Sequence, residues 1–202
     1  MGFRWLLLTA ALLGSTGCRD PLDEVPILGP SYCAPDRTAQ VACVLDGDTV
    51  DLDGCGDEAS ERVRFLGTAA PEIANGATAA ECYGEEARAF LSQVALGREV
   101  SVLYDNECTD IYDRSLAWLF IDVDLDDEIV PILEDLDDFG LNDEEDGYRV
   151  LLNTLMIRAG YAEEYSGVGS GDAERFSGEA ARAEEAAQSE GRGLYAADAC
   201  GR

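Results

Sequence analysis

The chain has 202 residues, enough for one domain with additions, and carries 42 acidic against 14 basic residues, a formal net charge of −28. Every basic residue is arginine and histidine is absent. Such a chain repels nucleic acid at long range, and with neither histidine nor a C-x-x-C pair its composition argues against zinc.

Residues 1–17 read as an export signal. Arg4 gives a short positive start, Trp5 to Leu13 an apolar run, and Ser15-Thr16-Gly17 a small-residue cleavage site. That run is too short for an ordinary transmembrane helix, and no other segment is apolar enough to cross a membrane. Cys18 directly after the small residues matches a bacterial lipoprotein signal, in which Cys18 becomes the lipidated N-terminus. The expected product is exported, lipid-anchored to the cell envelope or secreted, with the membrane as a partner through that anchor only. Residues 18–37 hold Pro, Asp and Gly without a period and are expected to form a tether.

The folded region is expected over 38–200. Thr38 to Leu45 alternates as a strand, Asp46-Gly47 signals a tight turn, and Thr49 to Leu52 returns as the second arm of a hairpin. Arg62 to Leu66 reads as a third strand, followed by a loop over 67–82. Glu85 to Leu96 is the clearest helix, with Ala87, Phe90, Leu91 and Val94 on one face and Gly97 as a stop. Glu99 to Tyr104 and Leu116 to Ile121 are strands. Residues 122–147 form an insertion with 13 acidic residues and no basic one, expected to be a solvated loop around a local Ile129–Leu133 cluster. Within it, Asn142 to Gly147 is similar to the start of an EF-hand loop, but the twelfth position is Asn153, which makes the similarity one of composition. Helices are expected over Val150 to Ala159 and Gly178 to Ser189. Five strands interrupted by a helix suit an α+β fold: a five-stranded OB-fold barrel with three helices, plus the acidic insertion.

Setting Cys18 aside, Cys33, Cys43, Cys55, Cys82, Cys108 and Cys200 suggest three disulfides, with 15 possible connectivities. A Cys82–Cys108 bond would tie the loop after Cys108 to the body. Cys33 with Cys200 would join the two ends, and Cys43 with Cys55 would cross the first hairpin.

The stretches CVLDGDTVDL, ERVRFLGTAAPEI, ECYGEEARAFL, YDRSLAWLFI, LLNTLMIRAGYA and EEAAQSEGRGLYA occur in that order. Together they resemble a staphylococcal-nuclease-like (thermonuclease) domain over about residues 38–197. The resemblance implies an OB barrel with three helices and Ca²⁺-dependent hydrolysis of DNA or RNA phosphodiesters. It also implies roles. Asp48 offers a hard oxygen to Ca²⁺, and Ala70 a backbone carbonyl only. Glu72 orients or deprotonates the attacking water as general base. Arg64 grips phosphate oxygens, Arg114 stabilises the transition state, and Tyr112 contacts the nucleotide.

Three positions depart from the family pattern. Ala69 stands where a second metal-binding Asp is expected. Asp113 replaces a Gly before the second arginine, and Ile111 replaces a nucleotide-contacting Lys. Calcium affinity grows with ligand charge, so losing one of two carboxylates weakens the cation half of the site. The expected function is therefore a nuclease weakened in its metal site. The alternative is a non-catalytic module of the same fold, used for binding or scaffolding at the cell envelope.

Overall fold

Alternation of apolar residues sets up the first hairpin. β1 (Arg37–Val44) and β2 (Thr49–Leu52) pair antiparallel across the Asp46-Gly47 turn, with Val44 opposite Val50. A Cβ on Gly47 would lie 2.6 Å from the Ala70 Cβ and 2.7 Å from the Ala87 Cβ, so only glycine lets this turn pack against both. The computed structural model describes residues 33–74, 76, 79–136, 141–144, 147–166 and 175–201. The expected signal over 1–17, Cys18 and the tether as far as residue 32 lie outside the described residues.

β2 pairs with β3 (Glu61–Phe65), which is followed by a two-residue strand, β4 (Thr68–Ala69). Helix α1 (Gly84–Ala95) starts one residue earlier than its periodicity suggests and buries Ala87, Leu91 and Val94. β5 (Glu99–Thr109) and β6 (Ser115–Asp124) form a long antiparallel pair, and β5 also pairs with β1. The hydrogen-bonded order is thus β3-β2-β1-β5-β6. A short parallel seam between β3 and β6, Val63 to Phe65 against Ser115 to Ala117, brings the run back on itself. This is the OB-like α+β barrel the strand order suggested.

β6 explains its own sequence. Ala117, Leu119 and Ile121 face the barrel interior with Val41, Val63 and Val102. Leu116 and Trp118 face a second cluster with Leu66, Leu151 and Phe176. A strand buried on both faces reads as a continuous apolar run, which is what LAWLF is.

The acidic insertion is not the solvated loop that its composition suggests. α2 (Val130–Asp135) takes Pro131 in its first turn and buries Val130 and Leu133, while Ile129 and Leu136 are buried beside it. β7 (Leu141–Glu144) and β8 (Gly147–Leu151) form a hairpin that pairs with β6 and extends the sheet. The apolar cluster outweighs the charge because its side chains reach the main core, and Arg98 fixes the segment with two hydrogen bonds to Asp127, 2.5 and 2.7 Å. Residues 137–140, 145 and 146 lie outside the described residues. Of the EF-hand-like stretch, Asn142 to Glu144 lie on β7 and Gly147 opens β8.

β8 also shortens the second expected helix. The chain stays extended through Leu151, and α3 (Leu152–Arg158) follows. β9 (Glu163–Glu164) pairs with β4, placing Glu163 opposite Ala69. α4 (Ser177–Glu190) buries Ala180, Ala183 and Ala187, small side chains on one face. Arg158 of α3 donates two hydrogen bonds to Glu190 of α4, 2.7 and 2.8 Å. Among the described residues there are four α-helices, the extra one being α2 in the insertion.

The disulfides are Cys33–Cys108, Cys43–Cys55 and Cys82–Cys200. The hairpin pair is as expected; the Cys82–Cys108 and Cys33–Cys200 pairings are corrected. The antiparallel register sets Arg37 opposite Val102, so the residues just before β1 run alongside the end of β5 and bring Cys33 to Cys108. Cys82 and Cys200 meet instead at the wall of a cleft beside the start of α1.

Candidate active site

The site is built on the first hairpin. Asp48 follows its turn, is only 5 % exposed, and has its amide N–H bonded to Asp46 Oδ1 at 3.0 Å. Its carbonyl accepts the Phe65 N–H at 2.8 Å, which fixes it against β3. Thr49 and Arg64 are cross-strand partners, so the guanidinium emerges beside Asp48 and forms an ion pair with it. As expected from alternation, Arg64 points away from buried Val63 and Phe65.

Both Asp48 carboxylate oxygens are engaged. Oδ1 accepts the Thr49 hydroxyl at 3.0 Å, and Oδ2 accepts the Ala70 N–H at 2.6 Å as well as facing Arg64. Burial pushes this carboxyl up to about 7, against the opposing pull of the Arg64 guanidinium.

Arg114 arrives from the other side. Asp110 shapes its loop, accepting the Tyr112 N–H at 2.9 Å and the Arg114 N–H at 3.0 Å through Oδ1, and Arg114 Nε at 2.7 Å through Oδ2. Asp113 has a φ of 64°, the left-handed conformation in which Gly is easiest and Asp is tolerated. Arg114 lies 5.5 Å from the centre of the Tyr112 ring, and Tyr112 as a whole is 74 % exposed. Arg114 also donates to the Thr49 hydroxyl at 3.3 Å.

The structure therefore joins Arg64, Asp48, Thr49, Arg114 and Asp110 in one network. Glu72 lies outside that network. It is exposed and stands two residues beyond Ala70, the residue whose N–H holds Asp48. The sequence reasoning missed Thr49 and Asp110. Asp110 had a readable signal: an Asp two residues before Tyr112 and four before Arg114 is placed for an Asx turn. Thr49 had none, since its bridging role depends on two loops meeting.

The donor set does not fit a resident calcium ion. Calcium takes about six to eight oxygens. Here both oxygens of Asp48 are already engaged by groups of the protein, the neighbouring Asp46 spends one oxygen on the Asp48 N–H, Ala69 brings no carboxylate, and Ala70 offers one carbonyl. Among the described residues no group of three or more acidic, cysteine or histidine side chains is placed to hold a metal.

The family model described as "Staphylococcal nuclease homologue" matches residues 62–197, roughly two thirds of the chain. This chain belongs to the staphylococcal nuclease family. The chain is 36 % identical over 78 residues to the thermonuclease of Staphylococcus intermedius, covering 39 % of this chain and 45 % of that protein. It is 32 % identical over 88 residues to the thermonuclease of Staphylococcus hyicus, covering 44 % of this chain and 51 % of that protein. The chain thus spans about half the length of the relatives it matches. The three disulfides of this staphylococcal nuclease homologue fit an oxidising compartment. No helix among its described residues is long and apolar enough to cross a membrane.

Proposed function

We propose that the domain hydrolyses nucleic-acid phosphodiesters, DNA or RNA, at the Arg64–Asp48–Thr49–Arg114 network, as a nuclease weakened in its cation half. The observation that carries this is the meeting of two arginines across one pair of residues: Arg64 of β3 is ion-paired with Asp48, Asp48 accepts the Thr49 hydroxyl, and Arg114, from the loop before β6, donates to that same hydroxyl. Two guanidinium groups match the charge that builds on phosphorus oxygens during attack by water. In this reading Arg64 binds the phosphate and Arg114 steadies the pentavalent charge and the leaving oxygen. Glu72, exposed and not tied to an arginine by any described ion pair, orients the attacking water and takes its proton. Tyr112 offers its open ring face to a base. Any calcium response is expected only at about millimolar ion, the range of sites poor in ligand charge. The same reading places the protein outside the cytoplasm, held by a lipid on Cys18 after removal of residues 1–17.

One observation favours a second reading, a non-catalytic module. Each arginine is already paired within the protein, Arg64 with Asp48 and Arg114 with Asp110, so a phosphate must compete with a carboxylate for both. Cleavage of single-stranded DNA by the oxidised protein, with calcium and with chelator, separates the two. The nuclease reading expects slow cleavage, lost by about a hundredfold or more in Arg64→Ala, because removing one charge-stabilising donor costs on that order. Ala69→Asp is expected to raise the rate at low calcium, despite placing a carboxylate opposite Glu163. Absence of cleavage in both the parent and Ala69→Asp would leave the module as the surviving reading.

A further inference from the structure

A general base needs a free carboxylate on a fixed backbone. Glu72 has both. Its side chain is exposed, while its two backbone polar groups are held by one residue, Glu81, across the intervening loop. The Glu81 N–H donates to the Glu72 carbonyl at 2.8 Å, and the Glu72 N–H donates to Glu81 Oε2 at 3.0 Å. The clamp is therefore reciprocal, backbone in one direction and side chain in the other.

Two further features press on the same point. A Cβ on Gly84 would lie 2.5 Å from the Glu72 carbonyl oxygen, so the start of α1 sits directly against the Glu72 backbone. Cys82 follows Glu81 and is bonded to Cys200, 118 residues away, which anchors this end of the loop to the C-terminal turn. Glu81, Cys82 and Cys200 line one wall of a cleft of about 500 Å³ that also includes Ala69 and Ala70. The clamp and the Asp48 contact are thus neighbours along the chain: the Ala70 N–H holds Asp48, and the Glu72 N–H holds Glu81.

We propose that Glu81 is a positioning residue for Glu72, and that the Cys82–Cys200 disulfide keeps this clamp on the folded body. The catalytic half of the inference rests on the proposed role of Glu72; the clamp itself does not. Glu81 acts as a hydrogen-bond acceptor and not as a charge, so Glu81→Gln, which keeps an acceptor oxygen, should behave like the parent.

Two measurements on the full, oxidised protein test this. In amide hydrogen exchange, the Glu72 N–H is expected to be protected in the parent and in Glu81→Gln. It should exchange on the order of tenfold faster in Glu81→Ala, the effect of losing one ordinary hydrogen bond. The Cys82→Ala, Cys200→Ala pair should raise exchange at the same amide. In cleavage of single-stranded DNA, Glu81→Ala should lower kcat by about 10- to 100-fold with KM within about twofold, since misplacing a reacting group acts on the chemical step. Equal Glu72 exchange in the parent and Glu81→Ala overturns the clamp, active enzyme or not. Glu81→Gln behaving like Glu81→Ala, with the fold intact, overturns the acceptor role. Unchanged exchange in the double cysteine variant overturns the role of the disulfide. A parent that does not cleave overturns the catalytic role of Glu72 and leaves the clamp to be decided by exchange alone.

Discussion

Asn153 shows how one polar residue can hold a barrel together. It is fully buried, yet every polar atom of its side chain is used. Its Oδ1 accepts the Leu119 N–H at 3.0 Å, and its Nδ2 donates to the Leu66 carbonyl at 2.9 Å and the Ala117 carbonyl at 3.2 Å. It joins α3 to β6 and to the residue after β3, the two strands of the parallel seam. In sequence it is marked only as the twelfth position of the EF-hand-like stretch. Asn153→Ala should destabilise the oxidised protein by about 2–4 kcal/mol, because buried partners are left unsatisfied and a small void opens. Equilibrium urea unfolding reads this directly. A loss below about 0.5 kcal/mol, the usual size for a surface change, would contradict it. At the candidate site the same scale explains the uneven legibility. Asp48, Arg64 and Arg114 were marked by neighbours in sequence, whereas Thr49 acquired its bridging role only through contact.

The insertion carries the lesson at the scale of an element. Its charge argued for a loop, but Ile129, Leu133 and Leu136 are spaced to share one helical side, and all three are buried. The acidic side chains between them stay outside, as on any amphipathic helix. If α2 is an integral part of the core, Leu133→Ala should cost about 2–4 kcal/mol, the usual range for a buried leucine. A solvated loop would show a change within about 0.5 kcal/mol. Thermal and urea unfolding of the two proteins distinguish the cases. Helix α4 was easier to read, since its buried Ala180, Ala183 and Ala187 are one helical face of the sequence. What they pack against was not legible, because the match of α4 to α3 involves Arg158 and Glu190, 32 residues apart.

Over the whole molecule, the surplus of carboxylates is organised by a few arginines. A hydrogen bond from Arg62 holds the Asp51 carboxyl below its usual range, Arg98 does the same for Asp127, and Arg158 for Glu190. A carboxyl lowered in the native state gives its full stabilisation above the unfolded value, about 3.9 for Asp, and loses it as the pH falls through the native value. Acidification also discharges unpaired carboxylates and relieves self-repulsion, so the parent profile alone mixes two effects. The comparison with Asp51→Asn isolates one of them. The variant should be less stable than the parent at pH 7, and the gap should close as the pH falls below about 4. A gap that stays constant to pH 2.5 in urea unfolding would remove the Arg62–Asp51 pair from the account.

By itself the sequence determined the local layer of this protein. Period and turn chemistry placed the first hairpin, α1 and α4, because such signals lie within a few residues of one another, and the ordered motifs singled out Asp48, Arg64, Glu72 and Arg114 as candidates for a nuclease-type site. It also marked Ala69 as the missing carboxylate. The tertiary structure alone decided what long-range pairing decides. It set Cys33 against Cys108 and Cys82 against Cys200, folded the acidic insertion onto β6, and closed both oxygens of Asp48 around groups of the protein itself. Each of these depends on register between strands or on the meeting of separate loops, and no local pattern of residue types encodes which of several chemically equal partners will be near.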